Sequence, residues 1–172
     1  MKRLLSLTLI IVISLSLFNC QKQEAPRNEK LVEYCEIGML LSPEFELYDH
    51  GGTFNEAYSD GKIIVGFSRY SFLNCVEYGF LDTYTPMKFA QVYLSKFGRE
   101  VEGGVQVHGD VPYFAYTAEH SDGSSYFYMP TFYCTPYAYF VITFITPASR
   151  QVDGRAEFLH YASTVHILEK YI

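Results

Sequence analysis

Residues 138–146 read AYFVITFIT, and this stretch decides the fold. In an extended chain successive side chains point to opposite faces. Tyr139, Val141 and Ile145 therefore fall on one side, and Phe140, Ile142 and Phe144 on the other. Neither side carries a charge. A strand that is apolar on both faces sits in the middle of its sheet, with one layer above and another below. Pro147 ends it, and the rest of the chain has to supply the two covering layers.

The flanking sequence offers helices for both. Upstream, TPMKFAQVYLSKFG (85–98) places Thr85 as a cap, Pro86 at the first helical position and Gly98 at the stop. Phe89, Val92, Tyr93 and Phe97 recur at spacings of three and four, which predicts a helix over 86–97 with one apolar stripe. Downstream, a second helix is expected over 153–163, capped by Asp153, with Phe158, Leu159 and Ala162 inward. Val165 to Leu168 reads as a closing strand.

Strands fill most of the remainder. Pro43 divides Tyr34 to Leu47 into two short ones. His50-Gly51-Gly52 and Ser59-Asp60-Gly61 are turn signals around TFNEAYS and KIIVGFSRYSF. LNCVEYGFLD (73–82) fits no pattern clearly. Val105 to His108 and Pro112 to His120 read as a short strand and a longer one. Asp122-Gly123 turns the chain into SYFYMPTFY, where Pro130 suggests an edge position or a bulge. The elements add up to an antiparallel β-sheet flanked by helices, an α+β domain over 31–172.

The beginning of the chain has a different character. Lys2 and Arg3 precede Leu4 to Phe18, an uncharged apolar run of 15 residues. A spanning helix needs about 20, so the run fits the core of a cleaved signal peptide better. Residues 20–30, with Gln, Lys, Glu, Pro, Arg and Asn dominant, read as a flexible tether. Leu17-Phe18-Asn19-Cys20 resembles the lipobox of bacterial lipoproteins, with Asn19 where Gly, Ala or Ser is usual. The resemblance implies cleavage after residue 19, acyl chains on Cys20 and attachment to a membrane. Gln21 in place of Asp after the cysteine favours the outer membrane over the inner by the same resemblance.

The domain resembles the PsbP-like superfamily in three stretches: MLLSPEFEL (39–47), TPMKFAQVYLSKFG (85–98), and AYFVITFITP (138–147) followed by AEFLHYASTVHIL (156–168). That superfamily includes an extrinsic photosystem subunit and small bacterial lipoproteins of the DcrB type. The likeness covers about residues 37–168 and implies an α-β-α sandwich. It implies no single activity and no site residue.

The whole chain holds 13 Lys and Arg, two of them in the leader, against 19 Asp and Glu. From Cys20 onward, 11 basic residues face 19 acidic ones, a net charge of −8. An acidic surface repels phosphate backbones, which argues against nucleic acid as a partner. Sixteen Tyr and 14 Phe with no Trp point to a sheet-rich core, or to a tyrosine-rich binding surface. With Cys20 taken by lipid, Cys35, Cys75 and Cys134 remain, an odd number with three pairings open. A Cys75–Cys134 disulfide is the expected one, because both end aromatic strand-like segments.

Chemistry-bearing motifs are scarce. His108, Asp110, Glu119, His120 and Asp122 lie close in sequence, yet their spacing matches no metal-ligand pattern. No nucleophile elbow, phosphate loop or dinucleotide fingerprint occurs. Neither a catalytic residue, a metal nor a cofactor is expected. The expected function is a membrane-anchored, non-enzymatic binding or scaffolding lipoprotein of the bacterial envelope. Its alternatives are a surface lipoprotein binding host or environmental molecules, and a small-ligand carrier or hydrolase with a Tyr/Phe-lined pocket.

Overall fold

The computed structural model describes residues 28–172 other than 78, 82, 83, 99, 100 and 102. The expected signal peptide, Cys20 and the expected tether as far as residue 27 lie outside the described residues. Eleven strands are described: β1 (Lys30–Tyr34), β2 (Ile37–Leu41), β3 (Glu46–Leu47), β4 (Glu56–Ser59), β5 (Ile64–Ser71), β6 (Gln106–His108), β7 (Val111–Tyr113), β8 (Tyr116–Glu119), β9 (Ser125–Cys134), β10 (Ala138–Pro147) and β11 (His166–Ile167). Three α-helices accompany them: α1 (Phe72–Glu77), α2 (Pro86–Phe97) and α3 (Gln151–Ser163). Among the described residues no helix is long and apolar enough to cross a membrane.

The strand expected to be central is central. β10 pairs antiparallel with β5 on one side and β9 on the other, within the sheet order β3-β4-β5-β10-β9-β7-β6. Phe140, Ile142 and Phe144 enter one core with Phe158, Tyr161 and Ala162 of α3. Tyr139 and Val141 enter the other with Phe89 and Ala90 of α2, Cys75 of α1 and Phe132 of β9. The Phe89 ring stacks on Tyr139 at 4.5 Å between centroids, with Phe80 edge-on at 5.0 Å. Such pairs add about 0.5–1.5 kcal/mol each beyond the area they bury.

The expected α+β class and the helices on both faces of an antiparallel sheet are what the chain adopts. One layer is richer than expected. β1, β2 and β11 form a separate three-stranded antiparallel sheet. Its Val32, Ile37, Met39 and Leu41 share the core of α3, so α3 and the small sheet together cover that face. Tyr34 reaches the large sheet through Phe67, centroids 5.4 Å apart.

The helix over 86–97 matches its expectation in detail. The Lys88 N–H donates to the Thr85 hydroxyl at 3.2 Å, and Gly98 takes φ 70° at the stop. The other helix begins earlier than expected, at Gln151, directly after a 3-10 turn over Ala148–Arg150. Asp153 therefore lies in the first turn rather than at the cap, where its charge still suits the helix dipole. The unassigned stretch after Leu73 contributes to α1.

Pro130 is not at an edge. β9 runs between β10 and the pair β7 and β8, and both short strands keep one register against it, Tyr113 opposite Thr131 and Tyr116 opposite Tyr128. The strand expected over Pro112 to His120 is interrupted where Phe114 meets Pro130. The Phe114 N–H donates to the Pro130 carbonyl at 3.3 Å, but Pro130 has no N–H to return.

Candidate functional site

Helix α2 covers only part of its face of the large sheet. Ile145, on the same side of β10 as Tyr139 and Val141, lies beyond the helix and lines an open groove of about 410 Å³. Ile64 of β5 and Tyr126 and Tyr128 of β9 extend this floor. Two loops rise as walls. One is the β3–β4 loop with Tyr48, Asp49, His50 and Phe54, and the other is the β8–β9 turn with His120, Asp122 and Ser124. The volume falls in the range of small-molecule sites, about 300–1,000 Å³.

The first wall is held by its own sequence. Gly51 and Gly52 take φ of 61° and 84°, the left-handed region glycine enters without cost. The Gly51 N–H donates to Asp49 Oδ1 at 3.1 Å, and the Phe54 N–H to His50 Nδ1 at 3.1 Å. Acceptance at Nδ1 places the proton of a neutral His50 on Nε2. The Phe54 ring then seats directly on Gly66 of β5. A Cβ built on Gly66 would stand 2.5 Å from three atoms of that ring, so the seat exists only because the side chain there is hydrogen.

The second wall is a tight turn. The His120 N–H donates to the Ser124 carbonyl at 2.8 Å, and the Ser124 hydroxyl to Asp122 Oδ1 at 2.5 Å. The Ser124 hydroxyl and N–H hold the Asp122 carboxyl below its ordinary value, with His120 adding to the effect. His120 Nε2 meets the Tyr128 hydroxyl at 2.7 Å, and Tyr128 stacks on Tyr116 at 5.0 Å with the rings 5° from parallel. Tyr126 faces the His120 ring edge-on at 5.2 Å. The serine is thus bonded to the aspartate and the histidine to a tyrosine, which is not the serine–histidine–aspartate order that activates a hydroxyl.

The groove offers aromatic faces, two carboxylates and two imidazoles, with no Lys or Arg among its described lining residues. It can take a flat or ring-bearing group against Tyr and Phe while Asp49, Asp122 and the histidines orient polar atoms. Of its residues, only His120 and Asp122 stood out in the sequence. The signal for the others was the alternation of Tyr126 and Tyr128 and the turn at His50-Gly51-Gly52. Nothing in the sequence places that turn opposite the β8–β9 turn.

The remaining candidates are dispersed. His108 and Asp110 lie at the β6–β7 turn, away from His120 and Asp122, and His108 lines a different groove with Asp153, Glu157 and His160. There His160 Nε2 is engaged by Glu29 at 2.7 Å. Among the described residues no three His, Cys, Asp or Glu side chains come together as a metal site. His166 is bonded through Nδ1 to the Thr164 carbonyl at 3.0 Å.

The expected Cys75–Cys134 bridge is corrected: Cys35, Cys75 and Cys134 are all free thiols. Cys75 is buried on α1, with its thiol directed at the Tyr70 carbonyl at 3.6 Å, and Cys134 ends β9 opposite Tyr139; both border the same core without being bonded. Burial pushes both thiols up from their ordinary values, which disfavours the nucleophilic thiolate.

No family model matches the chain, and no curated protein sequence does. Among solved structures the chain is similar to a crystal structure from Bacteroides thetaiotaomicron VPI-5482, with a TM-score of 0.54 and 11% identity over 85% of this chain and 50% of that one. The chain thus spans about half the length of that protein. A second similar structure is the solution structure of cyanobacterial PsbP (CyanoP) from Synechocystis sp. PCC 6803, with a TM-score of 0.45 and 11% identity over 87% of this chain and 98% of that one. At such identity the first likeness is one of fold alone.

Proposed function

We propose that this chain is a lipoprotein of the bacterial cell envelope, held to the membrane by lipid on Cys20, whose PsbP-like domain is a non-enzymatic binding module. Its ligand seats in the aromatic groove between the β3–β4 loop and the β8–β9 turn. The observation that carries the reading is the sheet end left open beyond α2, where Tyr126, Tyr128, Ile64 and Ile145 form a rigid floor. Sites built on strands hold their geometry better than sites on loops alone. Asp49 and Asp122 without a lining cation select for neutral or cationic ligands. Lipidation is supported by the apolar run that ends at Leu17-Phe18-Asn19-Cys20.

The chain has no Trp, so its intrinsic emission comes from its 16 Tyr, of which Tyr48, Tyr126 and Tyr128 line the groove. Full-length protein in detergent is titrated with neutral saccharides and with quaternary ammonium compounds while this emission is followed. A ligand of the groove loses about tenfold or more in affinity on Tyr126→Ala or Tyr128→Ala, as expected for a stacking contact. A ligand indifferent to both substitutions does not use the groove. Anchoring has its own test. Cys20→Ser moves the protein out of the detergent phase; retention there refutes the lipid.

A further inference from the structure

We propose a second binding site, for a small organic carboxylate, in the cavity between α3 and the strands β8 and β9, with Arg155 as its charge partner. It lies on the opposite face of the sheet from the aromatic groove. β9 serves both, since Tyr126 and Tyr128 point into the groove while Phe127, between them, lines this cavity.

The cavity has a volume of about 600 Å³, and Gln106, Ala115, Thr117, Phe127, Gln151 and Arg155 contribute to its wall. Arg155 reaches it from α3 across the Phe127 ring, the guanidinium carbon 5.8 Å from the ring centroid. Its Nε is closed off from solvent and has no hydrogen-bond partner. A buried donor on a charged group is costly to leave unmade, and such an orphan in a native structure points to an ion or ligand. Two other cations of this acidic chain find carboxylates, Arg69 with Glu36 and Lys170 with Glu33 at 2.9 Å, whereas Arg150, at the start of the same helix, shares the orphaned state through Nη1. Among the described residues no Asp or Glu lines this cavity.

The neutral groups around Arg155 add donors. Gln106 Oε1 accepts from the Tyr113 hydroxyl at 2.9 Å, which leaves its amide NH₂ as the free end. Gln151, in the first turn of α3, and Thr117 supply a further amide and a hydroxyl. A planar guanidinium fork with neutral donors beside it matches a carboxylate. One cation balances one negative charge, so a monoanion fits better than a phosphate dianion in a chain of net charge −6. Ala115, Val101 and Phe127 offer an apolar wall for the ligand's carbon skeleton.

Benzoate is the probe, benzamide its neutral counterpart and inorganic phosphate the competing anion, each titrated calorimetrically into the full-length protein in detergent and chloride buffer. Benzoate binds at one site, benzamide and phosphate more weakly, and Arg155→Gln lowers benzoate affinity about tenfold or more. Gln151→Glu, an exposed position that brings a negative charge to the rim, lowers it comparably, and Tyr126→Ala leaves it unchanged. The proposal is overturned if benzoate gives no binding, if benzamide or phosphate binds as well or better, or if folded Arg155→Gln binds as the parent does. Should Arg155→Gln fail to fold, an unchanged affinity in Gln151→Glu overturns it alone.

Discussion

Single residues carry two of the features above, and both can be tested by substitution. Gly66 is a hydrogen where any other residue would place carbon inside the Phe54 ring. Gly66→Ala has to displace that ring, because the backbone of an interior strand cannot withdraw, at a cost of about 1–3 kcal/mol. A urea denaturation midpoint reads that cost directly. The loss of binding in the groove that Phe54 walls should accompany it. The Glu36–Arg69 pair is the second feature. Arg69 Nε donates to Glu36 Oε2 at 2.9 Å, and the guanidinium holds the Glu36 carboxyl below its ordinary value against the opposing effect of burial. A depressed folded-state value means that the stabilisation is complete above the carboxyl's unfolded value and is lost as pH falls through the folded one. Glu36→Gln should therefore cost about 1–3 kcal/mol at neutral pH. Melting temperatures across pH 3 to 7 should show parent and variant converging at the acid end; a constant gap would refute the pairing as the cause. Neither feature was legible in advance, since a glycine in a strand and a glutamate in a hairpin look ordinary until their partners, 12 and 33 positions away, are known.

Elements were legible where their ends are chemically marked. Thr85, Pro86 and Gly98 bracket α2, and the hydroxyl of Thr85 makes the bond its position implies. Thr85→Ala should cost about 1 kcal/mol, and Thr85→Ser almost nothing, by chemical denaturation. Equal losses for both would assign the effect to packing of the threonine methyl instead. The start of α3 was misplaced because no side chain caps it; the 3-10 turn at Ala148–Arg150 feeds it through the backbone. Pro130 was read as an edge position or a bulge because a missing N–H is usually tolerated there. β9 instead sets that gap against the break between β7 and β8, and its other side pairs with β10 along the strand. The β1–β2–β11 sheet was not foreseen as a separate body. β11 has only two residues, too few to declare a partner by pattern, and its pairing with Gly38 and Ile37 is a property of the folded chain.

At the scale of the molecule, the alternation in AYFVITFIT means two cores rather than one. Phe89 and Phe158 lie on opposite sides of the large sheet, and no ring partner of one touches the other. Phe89→Leu and Phe158→Leu should accordingly add in stability to within about 0.5 kcal/mol in a double-mutant cycle. A coupling beyond about 1 kcal/mol would show that the sheet transmits strain between its faces. The candidate sites sit where the layers end, which is why the sequence showed their residues without showing them together. The bond between Glu29 and His160 on α3 has a last consequence. It fixes the root of the folded domain nine positions after Cys20, and nine extended residues reach at most about 30 Å. With the proposed lipid on Cys20 the domain would be leashed, and it would explore a thin slab above the bilayer instead of a volume. Molecules displayed on that same membrane would then meet the groove at an effective concentration on the order of millimolar. An affinity that looks negligible in a cuvette would be enough to keep the groove occupied at the surface.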